Sequence, residues 1–299
     1  MNHKERSLHQ LEKIVALAAL AAACALCVGF AQAAEPKNSA PKSAAKSDAV
    51  FLRSAVALVQ DAASGETLIA KNQGVVLPIA SITKLMTAMV ILDSGVNLEQ
   101  RVAISGEDND LVKGTRSRLR PGTVLTRDEL LLLALMSSEN RAAASLGRTY
   151  PGGTGAFVAA MSAKAAALGM NDTRFVDPTG LSSGNVSSAR DLARLVAAAH
   201  EYPLIRQYST RERATVQALG RPLAYRNTNG LVRSAYWEIG LSKTGYISEA
   251  GRCLVMQVRM ASREVIVVLL DSWGKFSRVG DANRIRKWLE AHAAARPRG

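Results

Sequence analysis

Hydrophobic residues follow three different rhythms along this chain. From Ile14 to Phe30 they run without a polar break, behind a basic start at Lys4, Arg6 and Lys13 and ahead of Ala31-Gln32-Ala33. The run is shorter than the ~20 residues of a spanning helix and ends at a small-x-small site. Residues 1–34 therefore read as a cleaved export signal rather than an anchor. Glu35 to Asp48 has no apolar rhythm, and its Pro, Ala, Ser and Lys content predicts a flexible tether over 35–49. Structured patterning begins near Val50. Ser54 to Gln60 alternates as a strand, Asp61 to Gly65 is turn chemistry, and Glu66 to Ala70 resumes as a second strand. Pro78 then stops the chain. Ile82 to Leu92 is apolar on nearly all sides and predicts a buried central helix with Ser81 in its first turn. Thr126-x-x-Glu129 forms a capping box ahead of the buried stretch Leu130 to Met136, and Ala142 to Leu146 resumes helical composition after the polar Ser137 to Asn140. Trp237 to Leu241, Cys253 to Met260 and Glu264 to Leu270 read as three antiparallel strands. Asp281 to Ala295 reads as an amphipathic helix that sets Ile285, Trp288 and Leu289 on the sheet. The order predicts an α+β fold over 50–295, followed by a short tail at 296–299. In it the N-terminal hairpin joins the C-terminal strands in one antiparallel sheet packed with a helical block.

Composition narrows the chemistry. Beyond the leader, Cys253 is the only cysteine, so an exported chain must be held by its core rather than by disulfides. The formal net charge is +13, of which the leader supplies three basic and two acidic side chains, leaving about +12 on the remainder. For an exported protein that charge points to anionic envelope surfaces, or to a merely solvated basic face, and not to nucleic acid. His200, His292 and Cys253 lie in unrelated segments and give neither a metal constellation nor a Ser-His-Asp triad. No cofactor is implied.

Three short motifs fall in one order: Ser81-Ile82-Thr83-Lys84, Ser138-Glu139-Asn140 and Lys243-Thr244-Gly245. A serine in the first turn of a buried helix is usually a cap. It can also be a nucleophile that uses the backbone N–H groups there. Lys84 weighs toward the second reading. Three residues on, it shares a helical face with Ser81, and burial lowers a lysine pKa toward the range of a general base. Ser138 and Asn140 are polar side chains set between two buried helical runs. Lys243-Thr244-Gly245 sits at the end of a strand, where glycine permits close approach of a backbone or ligand. Look-alikes at Ser43–Lys46, Ser183–Asn185 and Ser272–Lys275 lack this context: a tether, a Gly/Ser-rich loop and a turn containing Trp273-Gly274.

In this order and spacing the three motifs resemble the penicillin-recognising serine transferases and hydrolases. Asp177-Pro178-Thr179-Gly180-Leu181-Ser182, Ser187-Ser188-Ala189-Arg190-Asp191-Leu192 and Asn229-Gly230-Leu231 are similar to low-molecular-weight penicillin-binding proteins of the D-alanyl-D-alanine carboxypeptidase family. Leu241 to Tyr246 with Gly251 to Met256 looks closest to its endopeptidase branch. The resemblance covers Val50 to about Leu289.

It implies the penicillin-binding-protein/β-lactamase-like transpeptidase fold and a serine peptidase of the periplasm. The partners it implies are peptidoglycan stem peptides and cross-links, with β-lactams as covalent inhibitors. Ser81 is then the nucleophile and Lys84 its base. Ser138 relays a proton to the leaving amine with Lys243. Asn140 holds Lys84 and the substrate, and Lys243 and Thr244 bind the substrate carboxylate. The N–H groups of Ser81 and Tyr246 form an oxyanion hole beside Gly245, and Arg278 corresponds to a carboxylate-binding arginine at the start of the last helix. Thr228 stands where some relatives carry arginine, and the sequence has neither a second β-rich domain nor a terminal amphipathic anchor. That length suits the endopeptidase branch and a soluble or loosely surface-associated enzyme. A class A β-lactamase would need a Glu-x-x-Leu-Asn carboxylate, which is missing. A non-catalytic peptidoglycan-binding domain would show at least one eroded catalytic position. Endopeptidase and carboxypeptidase both remain open at this level.

Overall fold

The computed structural model describes residues 50–294; the leader, the tether and the tail expected from sequence lie outside them. Chain order runs β1 (Ser54–Asp61), β2 (Thr67–Lys71) and β3 (Leu77–Pro78), then a 3₁₀ turn at Ala80–Thr83 and helix α1 (Lys84–Asp93). β4 (Arg101–Ala103) and β5 (Val124–Thr126) flank a long loop and lead into α2 (Arg127–Met136), α3 (Asn140–Arg148) and α4 (Gly153–Ala167). β6 (Val186–Ser187), α5 (Ala189–His200), α6 (Pro203–Thr210) and the hairpin β7 (Arg213–Ala218) and β8 (Arg221–Arg226) follow. The chain closes with β9 (Glu238–Ile247), β10 (Gly251–Met260), β11 (Arg263–Ser272) and α7 (Ser277–Ala294).

The expected sheet is present. Its order is β2-β1-β11-β10-β9, antiparallel throughout, with the opening hairpin joined to the C-terminal strands through β1 and β11. Val56 pairs with Leu270 and Lys243 with Val255. Alternate residues feed two cores. Val56, Leu58, Val255, Ile266 and Val268 pack into the helical block, whereas Ala57, Val59, Leu254, Met256 and Val267 pack under Ala282, Ile285 and Leu289 of α7. A sheet covered on both faces needs apolar residues at every position, which is why Val265 to Leu270 shows no alternation in the sequence.

Three boundaries and one hairpin differ from the sequence reading. α1 starts at Lys84, so Ser81 belongs to a preceding 3₁₀ turn and caps nothing. β9 continues to Ile247, which places Lys243-Thr244-Gly245 inside a strand rather than at its end. α7 begins at Ser277, four residues before the expected start. The β7–β8 hairpin escaped notice because short and polar residues fill it, although Ala214, Val216 and Ala218 alternate inward. The capping box at Thr126 and Glu129 is formed as expected, in both directions. Among the described residues no helix is long and apolar enough to cross a membrane.

Candidate active site

Two backbone strains and two glycines assemble the site. Ala80 (φ 48°) and Ser138 (φ 60°) both take the left-handed conformation that side chains disfavour. Each adjoins or is a predicted functional serine. Gly180 (φ 81°) lies so close to the 3₁₀ turn that a Cβ there would stand 2.0 Å from the Ala80 carbonyl oxygen. Gly245 brings β9 against the same turn: its Cβ would stand 2.9 Å from the Ile79 oxygen and 3.1 Å from the Ser81 nitrogen. The Lys-Thr-Gly glycine is thus required by close packing onto the turn that carries Ser81.

Lys84 is fully buried, yet its amine has a complete set of partners. Nζ donates to Ser81 Oγ (2.8 Å), to Asn140 Oδ1 (2.8 Å) and to the Thr179 carbonyl (2.6 Å). Three elements distant in sequence supply them: the 3₁₀ turn, the start of α3 and the loop 177–185. Burial lowers the Lys84 amine to about 7, against the opposing pull of the carboxylates of Asp177, Glu139 and Asp110. Once neutral, an amine held by Asn140 and Thr179 through its two remaining hydrogens turns its lone pair to the third direction, where Ser81 Oγ lies.

The second predicted pair meets this one from the sheet. Lys243, also buried, donates from Nζ to Ser138 Oγ (2.9 Å) and to the Thr244 carbonyl (3.0 Å). Burial holds its amine well below the ordinary lysine value, and the charges of Lys84 and Arg278 push it further down. Thr244 Oγ1 donates to Thr228 Oγ1 (2.7 Å), the position where some relatives carry arginine. Arg278 reaches the same strand, its Nη1 donating to the carbonyls of Gly245 (3.2 Å) and Cys253 (3.1 Å). Tyr246 follows Gly245 with its ring in solvent, under the guanidinium of Arg252 at 4.7 Å.

Ser81, Lys84 and Asn140 thus meet in one hydrogen-bonded cluster and Ser138 and Lys243 in another, and Gly245 sets β9, with Thr244, Tyr246 and Arg278 beside it, against the turn that carries Ser81. Of the look-alikes, Ser43–Lys46 lies outside the described residues, and Ser183–Asn185 and Ser272–Lys275 do not join the site. Asn185, in one of them, is buried and structural. Its Oδ1 accepts from the N–H groups of Val176 and Asp177, and its Nδ2 donates to Thr83 Oγ1 and the Asp177 carbonyl. Sequence reasoning missed the loop 177–185 as a functional part. Asp177 accepts from Thr179 N, Thr179 Oγ1, Gly180 N and Ser182 N, and this brace aims the Thr179 carbonyl at Lys84. A backbone carbonyl has no sequence signature, although the Asp-Pro-Thr-Gly run marked the place. A cavity of about 290 Å³ opens beside Asn140 and Thr179, bounded by Asp110, Leu111 and Leu181. The loop at its mouth is tied across the cleft by the Lys113–Glu249 ion pair, and its Thr115 hydroxyl accepts from Asn140 Nδ2 (2.9 Å).

Comparison with known proteins agrees with this geometry. Residues 42–274 match the family described as D-alanyl-D-alanine carboxypeptidase. The D-alanyl-D-alanine endopeptidase of Pseudomonas aeruginosa is 52% identical over 242 residues, 80% of this chain and 78% of the relative. That of Escherichia coli is 45% identical over 267 residues, 89% and 85% of the two chains. Among solved structures, a Streptomyces DD-transpeptidase superposes with a TM-score of 0.75 at 27% identity, covering 81% of this chain and 99% of its own.

Proposed function

The chain belongs to the D-alanyl-D-alanine carboxypeptidase family of serine peptidases, and from that membership we propose that it is a periplasmic DD-endopeptidase. Its substrate is the cross-link between a D-alanine carbonyl and the side-chain amine of diaminopimelate in peptidoglycan. The observation that carries the reading is the Lys84 amine, oriented on Ser81 by Asn140 and Thr179 and lowered to about 7 by burial. The finer choice of endopeptidase rests on the names of the two relatives at 52% and 45% identity.

The steps follow from the geometry. Ser81 Oγ attacks the D-alanyl carbonyl carbon while neutral Lys84 takes its proton, help typically worth ~10²–10⁴-fold. The N–H groups of Ser81 and Tyr246 receive the oxyanion; one such donor is worth ~3 kcal/mol. Ser138, linked to Lys243, passes its proton to the departing amine as the C–N bond breaks and takes in exchange the one Lys84 received, leaving an ester on Ser81 and Lys84 neutral. Water then attacks that ester, its proton going to Lys84 and its hydroxyl to the acyl carbon, and the donor peptide leaves as Lys84 returns the proton to Ser81 Oγ. Lys243 and Thr244 hold the carboxylate beside the scissile bond, with Arg278 supporting their strand. A β-lactam enters the same first half-reaction. The amine freed by ring opening stays tethered to the acyl group on the side where water attacks the peptide ester, and no Glu-x-x-Leu-Asn carboxylate is available to activate water elsewhere, so the penicilloyl ester persists and marks the enzyme as inhibited. On this reading residues 1–34 direct export and are removed, 35–49 form a tether, and the basic surface rests loosely on anionic envelope material.

The test is mass spectrometry of products after residues 35–299 meet a cross-linked muropeptide dimer and, separately, an uncross-linked pentapeptide. Conversion of dimer to monomers is expected. Release of terminal D-alanine alone, with the dimer untouched, would assign a carboxypeptidase that limits cross-linking instead.

A further inference from the structure

We propose that Arg252, stacked on Tyr246 beside Arg278, forms a subsite for a carboxylate on the second stem peptide, the one that departs with the leaving amine. The proposal rests on the endopeptidase reading and names the residues that would give that preference.

Sheet geometry sets the subsite next to the carboxylate clamp. Thr244 and Tyr246 are two residues apart on β9 and face the same way, roughly 7 Å from one another along the strand. Arg252 is the cross-strand partner of Tyr246, and Leu254 that of Thr244. Leu254 packs toward α7, so all four side chains share that face of the sheet. Arg278, in the first turn of α7, donates to the carbonyls on either strand at this point. A cationic lane thus runs outward from Thr244, past Arg278, to Arg252.

These charges are uncompensated. Among the described residues neither Arg252 nor Arg278 has a carboxylate in ion-pair reach; other arginines lack one too, but this pair is set apart because Arg252 is the charge that acts on the half-buried Arg278. Burial and then the nearby Arg252 both disfavour the charge on Arg278. Two guanidiniums held together without an anion beside an exposed aromatic ring (Tyr246 is 58% exposed) make a ready site for one.

The chemistry of the two candidate leaving groups selects the ligand. Both carry a carboxylate beside the scissile amide, and Lys243 with Thr244 would accept either. Free D-alanine ends there. A leaving diaminopimelate continues through an aliphatic chain into a second stem peptide with further carboxylates. Only the cross-linked substrate can reach Arg252, with its aliphatic chain crossing the Tyr246 ring.

The test compares three reactions of one protein, residues 35–299: hydrolysis of the cross-linked dimer, hydrolysis of the pentapeptide, and acylation by a fluorescent penicillin. Arg252→Gln is expected to lower kcat/KM on the dimer roughly tenfold, as for loss of one exposed charge-assisted contact. Arg252→Glu should lower it further and Arg252→Lys should restore part of it. Pentapeptide hydrolysis and penicillin acylation should stay within about twofold of the parent, which also shows that the variants fold. A dimer whose acceptor carboxylates are amidated should lose its sensitivity to Arg252. Equal falls in all three reactions would make Arg252 a structural residue and overturn the subsite, as would unchanged dimer cleavage in Arg252→Glu. If the parent enzyme leaves the dimer intact, the endopeptidase reading fails and takes this subsite with it. Insensitivity to Arg252 in an enzyme that does cleave the dimer sinks the subsite alone.

Discussion

The two walls of the cleft each present a buried lysine, and the walls treat them differently. Lys84, on the helical wall, has three oxygen acceptors and three carboxylates near enough to restore part of the charge that burial removes. Lys243, on the sheet wall, has a hydroxyl and a carbonyl, and the charges that reach it belong to Lys84 and Arg278. The helical wall is complete by itself and can hold a neutral amine poised near pH 7. The sheet wall is short of negative charge, which on the proposed function a substrate carboxylate supplies. Burial acts on both amines, but the surroundings differ, and on the proposed function that difference makes one a base and the other an anion site.

That contrast can be broken most severely at the nucleophile. Ser81→Ala should abolish both penicilloyl labelling and peptide hydrolysis with the fold intact by circular dichroism. Residual hydrolysis within tenfold of the parent would remove Ser81 from the mechanism. The next effect belongs to Lys84. Its neutral form is the active one, so the rate of β-lactam acylation should rise with pH and reach half its plateau near the value of about 7. Lys84→Met should lower the plateau by ~10²–10⁴-fold. Asp177→Asn removes the carboxylate that contributes most to holding that amine protonated, so the midpoint should move to lower pH; an upward move would contradict the electrostatic account. On the sheet wall, Lys243→Met should act on KM for peptides more than on kcat. The loss expected is roughly 10–100-fold in kcat/KM, the scale of one hydrogen bond to a charged group. An effect confined to kcat would leave Lys243 only its part in the proton relay through Ser138 and remove it as an anion site. The smallest effect lies outside both walls. Thr126→Ala breaks the reciprocal cap of α2 and should cost about 1 kcal/mol of stability. Melting should fall by a few degrees while acylation stays unchanged.

Much of this was legible in the chain because the signals are local. A capping box spans only two intervening residues, and a buried helix announces itself through Ile82 to Leu92. The ends of elements were less legible. Ser81 looked like the first turn of α1, but Gly180 and Gly245 press on the backbone at Ile79 to Ser81, and the turn they shape is 3₁₀. Lys243-Thr244-Gly245 looked like a strand terminus because glycine usually punctuates, whereas here it allows contact between β9 and that turn. In the loop 177–185, Asp177 to Ser182 carries a family resemblance but no role in the sequence reading. Its contribution is a carbonyl, which every residue has, and only Asp177 and Asn185 together fix where that carbonyl points.

The sequence by itself determined the reactive groups and their order: a serine and lysine one helical turn apart, a serine and asparagine between buried helices, and a lysine, threonine and glycine on a strand. It also determined the α+β layout, since hydrophobic period and turn chemistry are written residue by residue. Tertiary structure decided that Ser81–Lys84 rather than Ser272–Lys275 is assembled, which oxygen atoms surround Lys84, and which arginines lack a counter-ion. Those are distances between residues tens to more than a hundred positions apart. Burial and pKa depend on such distances, and no local pattern encodes them.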